Sequence, residues 1–100
     1  MFIELNLDDI EGFDWDEANI KKNEVKHKVY HKECEQVFFN DPVIYEDLKH
    51  SVLEKRYQCL GRTDTDRLLF ISFTMRKLKV RIISARLMSR KERRQYEKSI

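Results

Sequence analysis

Residues that interrupt regular structure are scarce here, with two glycines and one proline in 100 residues. That scarcity excludes a collagenous or low-complexity chain, and no internal repeat or flexible linker divides the sequence. The 41% apolar content predicts one domain over 1–100, long enough to bury about two-thirds of its unfolded surface around one core. Apolar runs are also short. None approaches the roughly 20 residues of a membrane span, and the start, Met1-Phe2-Ile3-Glu4-Leu5, lacks the basic patch and apolar stretch of a signal peptide. A cytoplasmic protein without membrane contact is therefore expected. The two cysteines, Cys34 and Cys59, have no CxxC spacing and no histidine ladder around them. They read as buried thiols, and neither a metal nor a cofactor is expected.

Arginine is absent from the first half. Residues 1–50 hold six lysines against thirteen carboxylates, a net −7, whereas residues 51–100 hold nine arginines and five lysines against five carboxylates, a net +9. The overall +2 hides this asymmetry. Arginine's planar fork pairs with phosphate oxygens two at a time and stacks on bases, so the second half is suited to nucleic acid. A solvated face that aids solubility would show the same composition.

Local pattern predicts the elements. Phe2 to Leu7 alternates enough for a short strand before an acidic turn. Asp14-Trp15-Asp16-Glu17 places carboxylates where free N–H groups and the helix dipole favour them. From Trp15, the apolar residues Ala18, Val25 and Val29 follow a helical spacing broken by Lys22, which predicts a helix over about 16–27. Cys34, Val37 and Phe38 predict a second short helix, closed by Asn40-Asp41-Pro42. Val43-Ile44-Tyr45 begins an extended segment, and 55–61, 67–75 and 79–87 read as strands. The last is followed by Ser89-Arg90-Lys91-Glu92, a capping box opening a basic helix. Leu68, Phe70 and Ser72 alternate with Leu69, Ile71 and Phe73, which makes 67–75 a central strand covered on both faces. Short connections favour an antiparallel meander. The expected fold is α+β: two N-terminal helices, an antiparallel sheet of about four strands and a C-terminal helix.

Three groups of residues resemble the BrnT family of ribonuclease toxins. The first is Phe13-Asp14-Trp15-Asp16, with Asn23, Lys26-His27, Val37-Phe38 and Asp41-Pro42. The second is His50-Ser51 with Glu54, Arg56 and Gly61-Arg62. The third is Arg67-Leu68-Leu69, the run Arg81-Ile82-Ile83-Ser84-Ala85-Arg86, and Glu92-Arg93 with Tyr96. Together they span residues 13–98. The resemblance implies a RelE-like fold, endoribonuclease activity on RNA, and a BrnA-like antitoxin that neutralises the toxin and joins it on operator DNA to repress their operon. The chain departs from the family pattern at Asn19, where lysine is usual, at Lys28, where glycine is usual, and at His31, a commonly aromatic position. Lysine pays more than glycine for a left-handed cap, so a differently shaped helix end is expected at Lys28.

RNA cleavage without a metal needs a base for the 2′-hydroxyl, positive charge for the phosphorane and an acid for the departing 5′-oxygen. His27 is the first candidate for proton transfer, because imidazole titrates near neutrality. A histidine that merely complements the negative end of a helix would look the same. His50, near a loop, ranks behind it. Arg81 and Arg86 are the candidate catalytic cations, yet five residues apart on a regular strand they point to opposite faces, and only a bulge or twist brings them together. Lys26, Arg56, Arg90, Arg93 and Arg94 are candidate RNA ligands. A noncatalytic module that binds nucleic acid or a partner is the competing reading, including a degenerate toxin that survives as a corepressor.

Overall fold

The computed structural model describes residues 2–3 and 9–100. The helices are α1 (Glu17–His27), α2 (His31–Phe38) and α3 (Arg90–Ser99), and the strands are β1 (Phe2–Ile3), β2 (Gly12–Asp14), β3 (Val43–Glu46), β4 (Arg56–Arg62), β5 (Leu68–Arg76) and β6 (Lys79–Leu87). Beyond β1, the strand expected over Phe2 to Leu7 lies outside the described residues. The α+β class and the β4-β5-β6 meander hold. The expected antiparallel sheet of about four strands needs correction: among the described residues six strands pair in the order β1-β3-β4-β5-β6-β2, and β2 runs parallel to β6. Both added strands are two or three residues long and pair far along the chain; β1 falls at the start of the alternating stretch from Phe2, whereas β2 is too short for local alternation to mark it.

The sheet is covered on both faces. On one, Val29 and the α2 residues Cys34, Val37 and Phe38 pack against Cys59, Leu69, Ile71, Phe73, Val80, Ile82 and Ala85. Phe73 joins the layers, stacked on Tyr57 at 5.3 Å and edge-on to Phe38 at 5.1 Å. Burial pushes the Cys34 thiol up to about 12 and raises Cys59 as well, so both are inert buried thiols. On the opposite face α3 lays Tyr96, with Met88, over Val43, Leu60, Leu68 and Phe70.

The inner face of α1 is polar, contrary to the apolar stripe read from Ala18 and Val25. Val25 is 71% exposed. Facing the sheet instead, the Asn19 and Lys22 side chains donate to the carbonyls of Ile82 (3.4 Å) and Ile83 (3.2 Å), and buried Asn23 Oδ1 accepts from the Ala85 N–H (3.3 Å). The reason lies in β2, which pairs with Lys79 to Arg81, and among the described residues no strand pairs with the rest of that β6 edge. An unpaired edge needs hydrogen-bond partners, and α1 supplies them from side chains.

Departures from the family pattern resolve locally. Lys28 adopts the left-handed cap itself (φ 53°, ψ 39°), its N–H bonding to Asn23 and Glu24 carbonyls, so the helix end keeps the shape a glycine would give. This corrects the expected change of shape. His31 stands edge-on to Trp15 at 5.6 Å, filling an aromatic position with an imidazole ring.

Candidate nucleic-acid interface

Strand pairing sorts the candidate arginines. Between Ser72 and Phe73 the β5-β6 register shifts, so that Ser72 opposes Ser84 while Phe73 opposes Ile82, and Ile83 is the extra, bulged residue. The extra residue reverses the alternation of everything after it. Val80, Ile82 and Ala85 therefore all reach the core, and Arg81 and Arg86 come to the same opposite face, paired with Thr74 and Phe70.

That face consists of cross-strand rows. Arg56, Thr74 and Arg81 form one; Gln58, Ser72 and Ser84 form the next; Leu60, Phe70 and Arg86 form a third. The α3 helix covers the third row, where the apolar side chains are. Among the described residues no helix covers the first two, whose partly exposed groups are the Ser72 and Ser84 hydroxyls, the Gln58 amide and the Arg56 and Arg81 guanidinium groups; Thr74 between the arginines is buried, its hydroxyl donating to the Lys55 carbonyl at 2.7 Å. With strands about 4.8 Å apart, the backbones of Arg56 and Arg81 lie roughly 10 Å from each other. Arg81 is aimed by two carboxylates, Asp14 (3.3 Å) on β2 and Asp16 (3.6 Å) at the start of α1. Arg56 has no ion pair within 4 Å among the described residues, and its guanidinium is the freer of the two.

Arg86 shares the face but has a different occupation. Its guanidinium makes two parallel bonds to Glu92 (2.7 and 2.8 Å), bonds the Leu87 carbonyl and lies 4.3 Å over the Phe70 ring. Glu92 also accepts from the Ser89 N–H at 2.8 Å, completing the capping box. Arg86 thus staples α3 to the sheet. Burial works to raise the Glu92 pKa, but the Arg86 hydrogen bonds and charge, with those of Ser89, outweigh it and hold the carboxyl below its ordinary value of 4.5. A depressed folded pKa gives stability that is full above the ordinary value and is lost as pH falls through the folded one. Glu92→Gln is accordingly expected to lower the thermal midpoint by about 4–8 °C near neutrality, for about 1 kcal/mol of cap and charge-assisted bonding. The gap from wild type should close in scans below about pH 4.

The other sequence candidates are dispersed. His27 ends α1, while the contact with Arg81 is made at the other end, by the cap residue Asp16. At 1.5 Å per residue His27 stands roughly 16 Å along the helix from that contact. It is exposed in the last turn of the helix. Lys26 lines a shallow apolar recess on the outer side of α1 with Ala18, Lys21, Lys22 and Val25. Arg90, Arg93 and Arg94 are exposed on α3, with no ion pair within 4 Å among the described residues. The hydroxyl and amide row of Gln58, Ser72 and Ser84 went unread in the sequence. Its one local signal is the change from Leu68 and Phe70 to Ser72 and Thr74 along one side of β5.

The fold is an α+β sheet that carries partly exposed serines, an amide and two arginines on the part of one face beyond α3. The family described as "Ribonuclease toxin, BrnT, of type II toxin-antitoxin system" matches residues 15–92. The chain belongs to the BrnT family of ribonuclease toxins. The match includes Arg56, Arg81, Arg86 and Arg90 and ends before Arg93. A type II system implies an antitoxin partner. No curated protein matches the chain. Among the described residues no helix is long and apolar enough to cross a membrane.

Proposed function

We propose that this chain is a metal-independent endoribonuclease of RelE-like fold that cleaves RNA on the open half of its sheet to arrest growth. A BrnA-like antitoxin silences it, and the pair represses its own operon by binding operator DNA in the cytoplasm. The observation that carries this reading is the row Arg56, Thr74, Arg81, which sets two partly exposed arginines of different strands on one face of the sheet, on either side of a buried threonine. Positive charge aimed at a phosphate stabilises the phosphorane more than the ground state, which is what lowers the barrier. Arg56 and Arg81 take that role, Arg86 holds α3 in place, and Arg90, Arg93 and Arg94 follow the RNA backbone or meet acidic antitoxin residues. Lys26 and His27, along α1, do not touch the scissile phosphate in this reading.

Purified protein incubated with a structured RNA is expected to yield discrete fragments, which disappear on adding the antitoxin. Intact RNA across pH and salt, without growth arrest on expression, would instead favour a noncatalytic corepressor.

A further inference from the structure

With His27 remote from the arginine row, the cleavage site still needs a group that accepts a proton. A second histidine stands beside that row in a different setting. Asp47 follows β3 and caps the 3-10 turn Leu48–His50, its carboxylate accepting the His50 backbone N–H at 3.3 Å and approaching His50 Nδ1 at 2.9 Å. The turn is fixed to the start of β4: the Asp47 N–H donates to the Arg56 carbonyl (2.7 Å), and Ser51 Oγ bonds both the Asp47 carbonyl (2.7 Å) and the Arg56 N–H (3.0 Å). The carboxylate side is sheltered and the ring is open, at 12% and 56% side-chain exposure. A neutral imidazole that donates Nδ1–H to a carboxylate carries its free lone pair on Nε2. Among the described residues Nε2 has no partner.

His50 lines a cleft of about 370 Å³ with Val52, Leu53, Glu54, Arg56 and Arg76. The cleft therefore shares Arg56 with the row that continues through Thr74 to Arg81. Arg76 is held only loosely, 3.9 Å from Glu54. Val52 and Leu53 are exposed apolar side chains at its rim, a surface against which a base can lie. The charged groups facing the ring are Asp47 on its own turn, Glu54 before β4, Arg56 on β4 and Arg76 at the end of β5.

Resting on the ribonuclease reading above, we infer that His50 is the proton-accepting catalytic residue, oriented by Asp47, for a nucleotide whose 3′-phosphate is held by Arg56 and Arg76. His50 Nε2 takes the 2′-hydroxyl proton as the O2′–phosphorus bond forms. The phosphorus–O5′ bond breaks, its electron pair goes to O5′, and that oxygen takes a proton from water. The hydroxide so formed is neutralised by the proton His50 returns. The products are a 2′,3′-cyclic phosphate and a 5′-hydroxyl. Asp47 is a positioning residue: burial works to raise its pKa, but the His50 hydrogen bond and charge and a Gln58 hydrogen bond outweigh this and keep it below its ordinary value of 3.8.

The test compares single-turnover cleavage of a short RNA by wild type, His50→Gln and Asp47→Asn, with binding of the 2′-O-methyl form of the same RNA measured separately. His50→Gln should lose about 10²–10³-fold in rate with unchanged affinity for the methylated RNA. Asp47→Asn should lose about tenfold or more, and the acid limb of its pH–rate profile should move to lower pH, because the imidazolium loses its counter-charge. A merely structural turn would lower the thermal midpoint without moving that limb. If His50→Gln cleaves at the wild-type rate while Arg56→Ala does not, the inference fails and the ribonuclease reading stands. If wild type leaves RNA intact, both fail.

Discussion

Arg56→Ala is expected to reduce RNA cleavage by about 10²–10³-fold, the usual cost of removing one fixed donor from a developing oxyanion. The fold should survive the change. What ties residue 56 to its surroundings is its backbone, through the Asp47 N–H, Ser51 Oγ and the β4-β5 ladder. Its side chain makes no ion pair within 4 Å among the described residues, so alanine leaves no buried carboxylate stranded. Arg81→Ala is a less clean experiment, since Asp14 and Asp16 would be left facing each other where β2 and α1 meet. Arg56→Lys should recover only part of the rate, because an ammonium keeps the charge but loses the planar fork. Cleavage by Arg56→Ala at the wild-type rate, measured with the midpoint unchanged, would remove Arg56 from the site.

The largest stability effect is expected at Phe73. Its ring is fully buried between Tyr57 and Phe38, and Phe73→Ala should cost about 3–5 kcal/mol through lost burial and the cavity left behind. For a chain of 100 residues that is a large share of the about 5–15 kcal/mol available, so the midpoint should fall by more than about 12 °C in thermal scans. The adjacent Ser72 points to the open face, and Ser72→Ala should move the midpoint little. Comparable losses at both positions would mean that the two faces of β5 have been assigned wrongly.

Much of this fold is legible locally. The α1 range, the start of α3 and the long strands follow from a capping Asp16, the Ser89 and Glu92 box and alternation, each set by residues within one turn or a few strand positions. The polar inner face of α1 is not legible, because Asn19, Lys22 and Asn23 answer the part of the β6 edge that, among the described residues, has no strand beyond the end of β2 at Asp14. Nor is the Ile83 bulge, since no residue type demands it. That single extra residue decides whether Arg86 shares a face with Arg81. Arg86 itself was legible as a cation but not as a staple, since Glu92 reads first as a helix cap. The two histidines show the same limit. His27 lies in the first of the segments that resemble the family and ends on an exposed helix terminus, whereas His50 in a loop has a carboxylate three residues before it and an arginine six after it. A tight turn brings all three together.

The central claim is that RNA lies on the uncovered half of the sheet face shared with α3. The most direct test is a backbone amide NMR titration with a short 2′-O-methyl RNA that cannot be cleaved. Shifts should concentrate at His50, Arg56, Gln58, Ser72, Thr74, Arg81 and Ser84, weakening as salt is raised. Shifts confined to α2 and the outer side of α1, with these residues unmoved, would contradict the account.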